Sequence, residues 1–90
     1  MITHKNKDRV ALICYATVSN MFAMFCNQKY RGPNFKWDNF PEIASEHCST
    51  QVMLADIRGE NKVAQMEINA HAKQTGREIA NRMIKEADFK

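Results

Sequence analysis

The chain has 90 residues, of which 44% are hydrophobic and 26% are charged. This length and composition are typical of a single folded domain with a small core, which we predict to span residues 1–90. This composition excludes a disordered chain. Three cysteines without close spacing exclude a disulfide scaffold and favour a reducing, cytoplasmic location. The net charge of +3 is uneven: residues 1–37 carry +5, residues 38–59 carry −3 and residues 60–90 carry +1. A basic first third beside an acidic middle favours charge pairing within the chain as much as binding to an external polyanion.

The uncharged stretch at residues 10–26 is the strongest sign of secondary structure. Its apolar residues recur at steps of four and three, which predicts a helix over residues 5–28 with Thr3 as the N-cap. One stripe contains Val10, Cys14, Val18, Met21 and Phe25. A second stripe on other sides contains Leu12, Tyr15, Ser19, Phe22 and Cys26. A helix that is apolar nearly all round must be covered on more than one side.

The apolar first helix raises the question of what covers it. Seventeen uncharged residues are barely long enough to cross a bilayer, and Thr17, Ser19 and Asn20 lie in their middle, so we predict no membrane span and no secretory signal. Two further short helices leave part of its surface uncovered, which predicts a homo-oligomer, with a dimer favoured. The predicted interface consists of Val10, Cys14, Val18, Met21, Phe22 and Phe25.

Two more helices are predicted downstream. Gly32 and Pro33 break the chain, Asn39 with Glu42 resembles a capping box, and the second helix is expected to end at Gly59. The third helix is expected over residues 61–87, where small residues at every fourth position, Ala72, Gly76 and Ala80, predict close approach of a neighbouring helix. The predicted fold is all-α: a small three-helix bundle whose long first helix packs on a hairpin of the other two.

An α+β alternative places a β-hairpin at residues 50–69. Ala64, Met66 and Ile68 alternate with polar residues, as in a strand. Two lone strands are only marginally stable, and the Met, Leu, Ala, Gln and Glu residues there favour a helix.

The stretch YRGPNFKWDNFP, residues 30–41, holds four of the chain's eight aromatic residues. Aromatics interleaved with cations are typical of single-stranded nucleic-acid binding, but also of rings that close a small core, which we favour. Rings left exposed would serve as protein-binding anchors. The predicted partner-binding residues are Tyr30, Arg31, Phe35, Lys36 and Trp37 here, with the basic edge Lys73, Arg77 and Lys85 as a secondary contact.

Catalytic signatures are sparse. His47 and Cys48 are sequence neighbours, which point about 100° apart on a helix and rarely meet as base and nucleophile. The histidines and cysteines lack the spacing of a zinc site, and no phosphate-binding glycine loop is present. We predict no catalytic, metal-binding or cofactor-binding site and no enzymatic activity.

These features predict a small non-enzymatic protein-binding regulator or inhibitor that acts as an oligomer and occludes a partner's surface. Its size is typical of an accessory protein of a virus, such as a phage, or of a mobile element. The alternative is a nucleic-acid-binding regulator that uses the basic N-terminal third and the aromatic segment.

Overall fold

A computed structural model describes residues 2–55 and 59–87 and contains three α-helices. These are α1 (His4–Cys26), α2 (Phe40–Leu54) and α3 (Lys62–Ala87), with short 3-10 turns at Gln28–Tyr30 and Trp37–Asn39 between the first two helices. No strand occurs among the described residues. The all-α three-helix prediction is confirmed, and the β-hairpin alternative is wrong, because residues 50–54 and 62–69 are helical. The predicted turn of that hairpin is at residues 58–61, and residues 56–58 lie outside the described residues.

The start of α1 follows the predicted cap. The hydroxyl oxygen of Thr3 accepts a hydrogen bond from the Asn6 backbone amide at 3.1 Å. The helix ends at Cys26, two residues before the predicted end, because Asn27 is extended and its side chain accepts a hydrogen bond from the Lys29 amide. That local bond starts the following 3-10 turn instead of continuing the helix.

The ends of α2 differ from the prediction. Pro41 lies in its first turn, as expected. The capping-box prediction is wrong: Asn39 occupies the N-cap position without a side-chain hydrogen bond, since it already has helical backbone angles at the end of a 3-10 turn. The helix ends at Leu54, before Gly59. In α3, the Asn61 side chain accepts from the Ala64 amide at 2.8 Å and caps the start.

The core lies where the three helices meet. Its buried apolar residues are Val10, Cys14, Val18 and Met21 in α1, Phe40, Ala44, Cys48 and Val52 in α2, and Ala64, Ile68, Ala72, Ile79 and Ala80 in α3.

Gly76 lies at a close contact between α2 and α3. A Cβ atom at this position would lie 2.5 Å from Cys48 Sγ and 3.2 Å from the Ala44 carbonyl oxygen. The predicted close approach at the small residues of α3 is therefore confirmed, and glycine is required there for lack of space.

Candidate protein-binding surface

Two of the predicted anchors help to close the core. We call Phe22, Phe25, Phe35, Trp37 and Phe40 the aromatic cluster. Its contacting rings have centroids 4.9–5.9 Å apart in tilted and edge-to-face arrangements. Such pairs stabilise a fold beyond the area that they bury. Phe35 and Trp37 are half-buried against this cluster, so the structure places them with the core and leaves them only partly accessible to a partner.

The other residues of the aromatic segment lie nearer the solvent. Tyr30 is 52% exposed, and the Lys29 ammonium lies 5.9 Å from the centre of its ring. Lys36 is exposed and Arg31 is half-buried. The structure therefore separates the five predicted anchors into two that pack inward and three that reach the surface to different degrees.

The predicted basic edge of α3 is partly neutralised by α2. Arg77 forms an ion pair with Glu42 at 3.1 Å, and Lys73 forms one with Glu46 at 3.7 Å. Exposed pairs of this kind contribute little stability, but they occupy cations that a partner would otherwise meet. Lys85 is exposed near the end of α3.

The six residues predicted for an oligomer interface face the protein's own interior. Val10, Cys14, Val18 and Met21 are buried in the core, while the other two, Phe22 and Phe25, belong to the aromatic cluster. The reason is that α2 and α3 cover the first of the two apolar stripes of α1, and the aromatic cluster also includes Phe22 from the edge of the second stripe. A second copy would have to bind the opposite side of α1.

That opposite side is free of charged side chains. We call Leu12, Ala16, Ser19, Ala23 and Cys26 the outward seam of α1; they recur at steps of four, three, four and three, and all except the half-buried Ser19 are exposed. Leu12 is 72% exposed, and the flanking Tyr15 and Met24 are 59% and 43% exposed. No residue from 10 to 28 carries a charge. Only 22% of the most apolar stretch of α1 is buried.

Grooves run along both sides of this seam. The groove between α1 and α3 is lined by Leu12, Tyr15, Thr75 and Ile79, with charged residues Asp8, Glu78 and Arg82 at its rim. The groove between α1 and α2 has a volume of about 520 Å3 and is lined by Ile13, Ala16, Thr17, Asn20, Met21, Met24, His47 and Gln51. The seam is thus a ridge between two partly apolar grooves, a shape that suits ridge-into-groove helix packing.

Sequence reasoning did not assign Ala16 and Ala23 to a contact surface. Alanine is a good helix former and carries no functional signal of its own. The signal that identifies them is the lack of charged residues from position 10 to position 28, combined with the burial of only one side of α1.

The buried cysteines serve the packing of the core. The Cys48 thiol donates to the Cys14 carbonyl at 3.8 Å, and the Cys14 thiol donates to the Ala72 carbonyl at 3.6 Å. Hydrogen bonding with the Cys48 side chain and then desolvation by burial raise the pKa of the Cys14 thiol, which stays protonated.

His47 is exposed while its neighbour Cys48 is buried, so the two do not form a nucleophile–base pair. Within the described ranges, no three His, Cys, Asp or Glu side chains cluster as metal ligands.

By length and composition alone, α1 is also long and apolar enough to cross a membrane. No known protein family, curated protein or solved structure matches this chain.

Proposed function

We propose that this chain is a small non-enzymatic regulator that binds another protein through the outward seam of α1 and occludes part of that protein's surface. The observation that carries the proposal is an exposed helical face with no charge from residue 10 to residue 28. Solvent-exposed helix faces usually carry charged residues, and a contiguous uncharged face with Leu12 and Tyr15 projecting from it is typical of an interaction site.

The size and composition of this face support a protein contact. The seam extends over about 21 Å from Leu12 to Cys26, at 1.5 Å per residue. Tyr15 and Met24 stand on its two flanks, and Tyr30 lies beyond its C-terminal end. Tyrosine and methionine are enriched at protein interfaces. Together with the two adjacent grooves, the seam offers a continuous surface for a partner.

The nucleic-acid alternative has less support. It depended on Phe35 and Trp37 as stacking platforms, and these rings pack on the phenylalanines of the aromatic cluster. It also needs cations along the contact surface, whereas the outward seam has none between its ends.

The test is a comparison of two alanine-to-glutamate variants of the full chain. Ala16 lies in the seam, and Ala70 is an exposed alanine in the middle of α3. Each tagged protein is used to capture proteins from extracts of cells that produce it, with and without nuclease, and the captured proteins are quantified by mass spectrometry.

We expect Ala70→Glu to capture the same partner as the original chain and Ala16→Glu to lose it, with no effect of nuclease. The two variants should have the same circular dichroism spectrum, because both positions are exposed. Equal capture by both variants would contradict the proposed contact surface, and capture that disappears with nuclease would favour the nucleic-acid alternative.

A further inference from the structure

We infer that the occupant of the outward seam is an amphipathic helix of another protein, with small apolar residues along its contact face and acidic residues near both ends. This inference rests on the proposed function and specifies the chemistry of the partner. It follows from three features of the seam: its regular spacing, its shallow centre and the charges at its two ends.

The spacing of the seam favours a helical occupant. Steps of four, three, four and three residues are the repeat by which two helices pack side by side over several turns. The core stripe of α1 has a similar repeat, through Val10, Cys14, Val18 and Met21, and it packs on the chain's own helices. The outward seam therefore presents to a partner the same pattern that the inner stripe presents to α2 and α3.

The centre of the seam favours a protein over a membrane. Ala16, Ser19 and Ala23 have small side chains, which let another helix come close. Asn20 is exposed beside them and offers both a hydrogen-bond donor and an acceptor. Insertion into a bilayer instead depends on large apolar side chains, and Leu12 is the only large aliphatic residue of the seam.

Charges at the two ends of the seam select the sign of the partner. Lys5 and Arg9 continue the line of the seam toward the N-terminus and are exposed. With Lys7 and Asp8, this end carries a net charge of +2. Asp8 is also within 3.5 Å of His4.

The other end of the seam is also basic. In the chain it is followed by the exposed Lys29 and Lys36 and by Arg31, which is half-buried, and with Asp38 these residues sum to a net charge of +2. A helix with acidic residues near both of its ends would match this distribution.

The same distribution disfavours a second copy of the chain. If two seams packed in opposite directions, the basic N-terminal end of one would lie beside the basic C-terminal end of the other. If they packed in the same direction, like ends would meet. Both arrangements bring positive charges together, and the repulsion between like charges disfavours a complex of two copies.

Two synthetic helical peptides of about 18 residues, long enough for the seam at 1.5 Å per residue, provide the probes. Both carry Leu and Ala at the four–three spacing; one has Glu residues at both ends and the other has Lys residues there. Binding of each fluorescein-labelled peptide to the full chain is measured by anisotropy at about 50 mM and about 300 mM NaCl, which differ strongly in screening.

We expect the Glu-ended peptide to bind at least ~10-fold more tightly at low salt, with the difference shrinking at high salt. Ala16→Glu and Ala16→Lys should both weaken its binding about 10-fold or more, since either charge interrupts the apolar seam, while Ala70→Glu should leave it unchanged. If peptide binding is weakened by a negative and by a positive charge at position 16, the contact there is apolar, because simple electrostatic attraction to the Glu-ended peptide would be strengthened by the lysine.

Equal affinity for the two peptides, or binding of neither, would overturn the inference. Two further results would also overturn the inference. One is that the chain self-associates and that Ala16→Glu abolishes this self-association. The other is that the chain binds phosphatidylserine vesicles and that Ala16→Glu abolishes this binding. If the peptides bind equally but Ala16→Glu still loses the partner captured from extracts, the acidic-helix inference fails while the proposed function stands.

Discussion

Replacement of Gly76 by alanine tests the contact between α2 and α3. The added Cβ atom would lie 2.5 Å from Cys48 Sγ and 3.2 Å from the Ala44 carbonyl oxygen. Since nonbonded heavy atoms prefer separations of about 3.5–4.0 Å, the Cβ–Sγ contact is too short by ~1–1.5 Å, and either the Cys48 side chain must turn or the helices must separate. A contact as short as 2.5 Å belongs in the upper part of the range for overpacking, about 2–3 kcal/mol, and the higher helix propensity of alanine offsets about 1 kcal/mol. We expect a net loss of about 1–2 kcal/mol, or ~4–16 °C in Tm.

Urea unfolding followed by circular dichroism measures this loss. Ala70→Gly, at an exposed position of the same helix, isolates the propensity effect and should cost about 1 kcal/mol. Cys48→Ala removes the Sγ atom that lies closest to the added methyl group. The double variant should therefore be more stable than the sum of the two single effects predicts. A Gly76→Ala protein at least as stable as the original would refute the close contact.

Three other predictions concern the core. Trp37→Ala should lower the free energy of unfolding by about 2–4 kcal/mol, because the Trp37 ring contacts three phenylalanines. As a control, Lys36→Ala at the exposed neighbouring position should change the free energy of unfolding by less than ~0.5 kcal/mol. Equal effects of the two substitutions would place Trp37 outside the core. Ser45→Ala should raise the free energy of unfolding by about 1 kcal/mol, since the Ser45 hydroxyl is buried without a hydrogen-bond partner among the described residues. If urea unfolding instead shows that Ser45→Ala lowers stability, the hydroxyl has a hydrogen-bond partner. Because the pKa of Cys14 is raised, the folded state keeps a proton that the unfolded state releases above pH 9.0, so stability should fall there by up to ~1.4 kcal/mol per pH unit. Replacing both buried thiols, Cys14→Ala with Cys48→Ala, should give a shallower slope in urea unfolding above pH 9.0, and an unchanged slope would contradict this assignment.

Local patterns in the sequence predicted the three helices well. The spacing of apolar residues located α1 and α3, and Thr3 and Pro41 marked helix starts, because these signals depend only on nearby residues. The small residues around Gly76 also predicted the close helix contact. The capping box failed because the backbone of Asn39 is set by the 3-10 turn before it.

The candidate surface was harder to predict because α1 has two apolar stripes. Periodicity shows that both exist, but which one faces α2 and α3 depends on packing between distant parts of the chain. The stripe of Val10 and Cys14 was predicted as an oligomer interface, and it is the stripe that the core covers. Likewise, the composition near Trp37 did not determine whether its ring would point inward, since that depends on the path of the connecting segment.

Photo-crosslinking from the seam tests the central claim most directly. A photoreactive benzoylphenylalanine is introduced at position 16 in one full-length protein and at position 70, also an exposed alanine site but on α3, in another. After irradiation in the cells that produce the protein, crosslinked products are identified by mass spectrometry. We predict that position 16 crosslinks to a helix of a different protein and that position 70 does not. Crosslinks from position 16 to lipid or nucleic acid, or a yield no higher than that at position 70, would contradict a protein-binding role for the outward seam.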